Sequence, residues 1–128
     1  MCLENSTLIG KRDADIVAYK LVGVTPYGLV CSWYHFEYEW YVGLHESRLG
    51  RANSRGQVHH GFHSYKHYQR PPGYFPDPRL FDDPKPQVIE VRIPVTADCY
   101  QGTFNEYSCY ASNQLLVNSL DAVSCKTM

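Results

Sequence analysis

Residues Phe36-Glu37-Tyr38-Glu39-Trp40-Tyr41-Val42 alternate with period two. Phe36, Tyr38, Trp40 and Val42 share one face, while Glu37, Glu39 and Tyr41 share the other. A helix would scatter these rings around its circumference, so the pattern predicts a strand half buried in a sheet. Gln87 to Pro94 repeats the signature, with Ile89, Val91 and Ile93 facing one way and Glu90 and Arg92 the other. Pro94 ends that strand or sets it at an edge.

Further strands follow from composition. Residues 15–23 are β-branched and aromatic. Thr25-Pro26-Tyr27-Gly28 is a turn, and residues 29–34 return as a second strand. Residues 43–57 have no period and are rich in Gly, Ser, Asn and Arg, so they are expected as a loop. Val58 to Phe62 suits a short strand. Ser64 suits the cap of one or two helical turns running to Arg70, stopped by Pro71-Pro72. Six of the eight prolines fall in 71–86, which predicts a long irregular surface crossing. Tyr107 to Val117 suggests two short strands broken at Ser112-Asn113, and residues 118–128 a loose polar tail. The expectation is a single α+β domain over 1–128: β-rich, with a mostly antiparallel sheet and one or two short helices.

The 128 residues suffice to bury roughly two thirds of the unfolded surface. Twelve basic against thirteen acidic residues argue against a general nucleic-acid binder, which needs a positive excess over phosphate. Local arginines still suffice for a small anion. The five cysteines form no Cys-x-x-Cys pair, the start lacks a secretory pattern, and no apolar run approaches the roughly 18 residues that span a bilayer. A cytoplasmic protein with free thiols is expected, in the host cell if phage-encoded.

The richest chemistry lies in Gly56 to Tyr68, which holds four of the six histidines. His59, His63 and His67 are spaced by four, the helical spacing of metal ligands, but Gly61 and Phe62 interrupt that helix and no acid sits at ligand spacing. Imidazoles at a strand-to-helix junction, bonded to backbone or lending polar rings to a pocket wall, fit better, and neither metal nor cofactor is expected. Arg48, Arg51 and Arg55 lie in a glycine-containing loop. Guanidinium forks and backbone N–H groups there suit a phosphate, although the spacing is neither a Walker loop nor a dinucleotide fingerprint. His60, His63 and Tyr65 would shape the pocket, and Trp33 or Trp40 would stack on a base.

Three other constellations read more blandly. Glu37 and Glu39 resemble the Glu-x-Glu of arginine-directed ADP-ribosyltransferases, but the Ser-x-Ser strand and early arginine have no counterpart in order. Cys2 would become an N-terminal nucleophile if Met1 were removed, as in amidotransferase-type hydrolases, which are much larger. His60 or His63 with Glu106 is the remaining general-base pair.

One resemblance spans most of the chain. It rests on Met1-Cys2-Leu3, Arg12 to Lys20, Tyr41-Val42-Gly43, Gly61-Phe62-His63-Ser64, Val91-Arg92-Ile93-Pro94, Tyr100-Gln101-Gly102 and Ala111-Ser112-Asn113-Gln114-Leu115. These resemble small proteins of bacteriophages and gut bacteria that share a Met-Cys-Leu start and an Ile-Pro…Tyr-x-Gly…Ala-Ser-Asn ending. The proline-rich segment 71–86 stands where that group has a helical stretch. The resemblance implies a phage accessory factor against host defence and transfers no catalytic residue. Three functions follow as expectations: a non-enzymatic "sponge" for a phosphorylated or nucleotide-like ligand, able to hold it at a subunit interface of a homo-oligomer; a module inhibiting a host protein; and a small His-dependent nucleotide-processing enzyme.

Overall fold

The computed structural model describes residues 3–32, 38–71 and 84–123. Ten strands appear in the order β1 (Glu4–Leu8), β2 (Ile16–Val24), β3 (Val30–Ser32), β4 (Glu39–Trp40), β5 (Gly43–Glu46), β6 (Phe62–Tyr65), β7 (Lys85–Ile93), β8 (Cys99–Phe104), β9 (Tyr107–Ser112) and β10 (Gln114–Val117). They form one antiparallel sheet with the path β1-β8-β9-β6-β2-β7-β10-β5, and β3 branches from β2 to carry β4.

The longest ladder pairs β2 with β7 from Ile16↔Ile93 to Val24↔Lys85. Along its other side β2 meets β6 at Tyr19↔Tyr65 and then β3 from Val22↔Ser32 onward. The sheet therefore forks beside Lys20. It also curls, for β5, at one end of the path, returns to β4 and β6: the His45 ring lies 4.7 Å from Trp40 and 6.4 Å from Phe62.

Alternation along the strands separates two cores. On the inner face Ala18, Val22, Val30, Trp40, Phe62, Ile89, Val91, Ile93, Cys99, Tyr110, Leu115 and Val117 pack together. On the outer face Leu3, Val58, Tyr65, Cys109 and Ala111 form a smaller cluster, against which Tyr19, Leu21, Leu49 and Ala52 pack. Each fully buried aliphatic side chain contributes about 1.5–3 kcal/mol, so the inner core dominates stability.

The segment 47–60 covers the outer face. Leu3 and Val58 exchange backbone hydrogen bonds at 3.0 and 2.8 Å, Ser6 Oγ donates to the Gly56 carbonyl at 2.7 Å, and the Gly50 N–H donates to the His60 carbonyl at 3.1 Å. Gly61, at φ +130°, turns the chain into β6; a side chain there would press on Leu49 and on the Ser112 carbonyl.

The sheet class, the hairpin of β2 and β3 as far as Ser32, and the break at Ser112-Asn113 agree with the sequence pattern; residues 33 and 34 of the expected second strand lie outside the described residues. Other details differ. There is no helix among the described residues: Ser64 and Tyr65 pair with Tyr110 and Cys109 instead of starting helical turns. Cross-strand pairing outcompetes a weak cap signal followed by no apolar helical stripe. Val58 makes only an isolated bridge to Leu3, and the strand begins at Phe62. The expected loop 43–57 opens with β5, and Lys85 and Pro86 of the proline-rich segment belong to β7; residues 72–83 lie outside the described residues. The tail is docked at its start, where Ala122 bridges Ile89 and the Val123 N–H donates to Val88 at 2.8 Å. Of the alternating stretch 36–42, Phe36 and Glu37 lie outside the described residues and Trp40 is buried. Val42 is 61% exposed, because the chain turns at Gly43 (φ +137°) before β5.

Candidate functional site

The residues expected to form one pocket are divided by the sheet. Arg48, Arg51 and Arg55 are exposed on the segment that covers the outer face. Asn53 Oδ1 orders that loop by accepting the N–H groups of Arg55 and Gln57 at 2.9 and 3.0 Å. His60 is exposed beside Gly50, whose N–H donates to its carbonyl. His63 and Tyr65 are buried toward the outer cluster, whereas Trp40 is buried in the inner one. Trp33 lies outside the described residues. A strand's two-residue period sends neighbours to opposite faces, which is why Phe62 and His63 part company.

His63 Nδ1 and Nε2 face the carbonyls of Gly61 and Val58 at 3.2 and 3.3 Å. A neutral ring donates to only one of them. Removal from water, helped by the nearby Lys20 charge, outweighs these bonds and lowers its pKa from 6.5 to about 4. His59 and His67 are exposed and lie outside β6, so no helix stacks them with His63. No cluster of three or more His, Cys, Asp or Glu suited to a metal occurs among the described residues. Glu106 sits at the β8–β9 turn, where Asn105 and Glu106 both have positive φ. His63 pairs with Ala111, five residues along the strand from Glu106, which separates them by on the order of 15 Å. Burial pushes the thiols of Cys99 and Cys109 up to about 12 and about 11, away from nucleophilic chemistry.

The inner face holds what the sequence reading passed over. Lys20 is an every-second-residue partner of Ala18 and Val22 and stands opposite the fully buried Ile89. Its Nζ donates to the His63 carbonyl at 2.6 Å and lies 5.7 Å from the centroid of the Trp40 ring. Among the described residues no carboxylate acts on it; burial lowers its pKa from 10.5 to about 8, with the Cys109 thiol opposing. The residue as a whole is nonetheless only partly shielded from solvent.

Around it the wall is aromatic. Trp40 packs against Tyr38, His45 and Phe62 with centroids 4.9, 4.7 and 5.4 Å away. His45, 1% exposed, braces that wall: Nδ1 accepts from the Tyr38 hydroxyl at 2.9 Å, and Nε2 donates to the Tyr41 carbonyl at 2.8 Å. Two buried polar atoms in the same region lack hydrogen-bond partners, Trp40 Nε1 and Ser64 Oγ. Each such group costs about 1–3 kcal/mol when left unpaired in a protein interior.

A separate cavity of about 130 Å³ lies between β7 and the tail, lined by Glu90, Arg92, Ser119, Asp121 and their neighbours. It contains none of the expected site residues. No protein family matches the chain, and no match is found among curated proteins or solved structures.

Proposed function

We propose that the protein is a non-enzymatic binding protein for a small anionic ligand of phosphorylated or nucleotide-like kind, held at Lys20. The observation that supports this reading is a lysine with no carboxylate partner among the described residues, in a largely apolar row and set against the Trp40 ring. An ammonium so placed is worth more to an anion than a solvated guanidinium, because fewer water dipoles screen it. Of the aromatic wall, the ring that supports this reading by its exposure is Tyr38, 36% exposed beside the buried Trp40, a surface on which a base or sugar would stack. In the setting that the phage-protein resemblance implies, such a protein sequesters a nucleotide signal of host defence. Calorimetric titration with cyclic dinucleotides and ADP-ribose derivatives tests this. Binding well below about 100 µM is expected, and no heat from any of them at that concentration ends the reading.

A second reading, a module that docks on a host protein, draws on the opposite side of β3 and β4. The Val30↔Trp40 pair, continued by one residue, sets Leu29 opposite Tyr41, and these side chains are 51% and 57% exposed. Tyr27, Val42 and Leu44 are also exposed, at 69%, 61% and 46%. Loss of a stoichiometric host partner in Tyr41→Asp, with nucleotide binding unchanged, would favour this reading.

A further inference from the structure

The near-zero net charge hides a division along the chain. From Ser47 to Pro71 there are five basic residues, Arg48, Arg51, Arg55, Lys66 and Arg70, and no aspartate or glutamate. Of the twelve basic and thirteen acidic residues, seven and thirteen are left for everything else. All five side chains are exposed, and among the described residues none of them pairs with a carboxylate.

The fold gathers this segment on one side. Its first part, 47–60, covers the outer face and reaches β1, where the Gly56 carbonyl accepts from Ser6. After β6 the chain stays on that side: the Lys66 N–H donates to the Ser108 carbonyl at 2.9 Å, and the Tyr68 ring meets Tyr19 edge-on at 6.2 Å. Tyr19 itself packs on the outer cluster. Between the two stretches runs a row of rings. Tyr19 on β2 pairs with Tyr65 on β6, and Tyr107 on β9 stands edge-on to Tyr65 at 6.0 Å. Tyr107 is 48% exposed, and Tyr19 and Tyr68 are half-buried. Glu90, opposite Tyr19 on β7, and Glu106, next to Tyr107 in the β8–β9 turn, mark the two ends of the row.

Each guanidinium in solvent is a weak partner for a single small anion. Along a polyphosphate backbone such charges act together, because every phosphate neutralised releases condensed counterions. The rings decide which polyanion fits. An acidic protein surface would use the charges and leave the tyrosines without a role, and a duplex hides the faces of its bases. Unpaired bases present those faces, and aromatic rings standing on a sheet stack on them whatever the sequence. We propose that the outer face between segments 47–60 and 66–70 binds single-stranded nucleic acid, with Arg48, Arg51, Arg55, Lys66 and Arg70 on phosphates and Tyr68 and Tyr107 stacked on bases. This surface lies across the sheet from Lys20 and is independent of a ligand held there.

The test is fluorescence anisotropy of the whole chain with labelled oligothymidine and oligouridine of about 12 nucleotides, within the span that such faces cover. Either is expected to bind with a dissociation constant below about 10 µM at about 50 mM salt. The slope of log affinity on log salt should lie between about −2 and −3.5, for about three to five neutralised phosphates. The two probes separate DNA from RNA, and binding of either upholds the surface. Arg51→Gln with Arg55→Gln makes the slope shallower by about 1.4. Lys11→Gln with Lys85→Gln removes the same charge from exposed positions elsewhere and changes it by less than about 0.5. Tyr107→Ala weakens binding by roughly tenfold, the scale of one stacked base, and Tyr107→Phe restores it. Thermal melting checks that each variant folds, and the solvent-exposed arginine pair carries the test if Tyr107→Ala does not fold. The proposal is overturned if neither probe binds at about 100 µM, if a duplex of the same length binds as tightly, or if polyglutamate competes as well as an oligonucleotide. Equal effects of the two charge pairs, or no effect of Tyr107→Ala, would overturn it too.

Discussion

The outer loop carrying Arg48, Arg51 and Arg55 and the inner-face lysine, Lys20, both bring positive charge to this sheet, in opposite settings. Three guanidiniums stand in solvent, where water and salt screen them and binding an anion means displacing good hydration. The one ammonium is packed between a carbonyl, an indole face and an aliphatic side chain, and much of its hydration was given up during folding. The number of cations is therefore a poor guide to a site for a small anion. What counts is how much of the desolvation cost the fold has already met.

The largest effect that would break this comparison is on ligand affinity. Lys20→Met is expected to weaken binding of a phosphorylated ligand by at least about 100-fold, the scale of a hydrogen-bonded charge. Replacing Arg48, Arg51 and Arg55 together by Gln should change it by less than about threefold at physiological salt. Isothermal titration of the two variants decides the matter, and the opposite ranking would return the site to the loop.

Acid sensitivity comes next in size. The folded pKa of His63 is about 4, below the unfolded 6.5, so below pH 6.5 the unfolded chain takes up the proton first. Its contribution is intact above pH 6.5 and is lost as pH falls toward 4, on the order of 3 kcal/mol if the whole shift is expressed. Urea unfolding from pH 7 to 4 should show this fall, and His63→Gln should flatten it. The exposed His59 and His60 serve as controls.

Lys20 has the opposite sign. Its folded pKa of about 8 lies below the unfolded 10.5, so burying its charge costs stability in full below pH 8, and the cost is relieved as pH rises toward 10.5. Lys20→Met should raise stability at pH 7 by about 1 kcal/mol and remove that alkaline rise. Ligand affinity runs the other way: it depends on the charged amine and should fall as pH climbs through about 8. A stability loss in Lys20→Met would mean that the ammonium is held for structure. The smallest effect belongs to the arginines, whose individual replacement should alter stability by less than about 0.5 kcal/mol in thermal melts.

Much of the sheet was legible from local pattern. Ile89, Val91 and Ile93 alternate cleanly and lie on the inner face, and Trp40 is buried as its alternation predicts. The β8–β9 turn had a readable form too, since Asn105-Glu106 takes the positive φ values of a tight hairpin. Lys20 was equally available: Ile16, Ala18, Val22 and Val24 are every-second-residue neighbours, which puts a lysine in the middle of an apolar row. Attention to clustered histidines and arginines hid a single residue out of character with its own face. His45 gave no such signal, because its burial depends on β5 pairing with β10 and curling back to Trp40.

Alternation of side chains along a strand is local, so the chain by itself decided that this is an antiparallel β protein and which residues of each strand share a side. Which of those sides meet is a matter of pairing between segments far apart in sequence: Tyr19 with Tyr65, and Ser64 with Tyr110. Only the assembled sheet put the arginine loop behind one face and the lysine on the other. Backbone hydrogen bonding and apolar burial select that pairing, and neither is expressed until distant strands lie side by side.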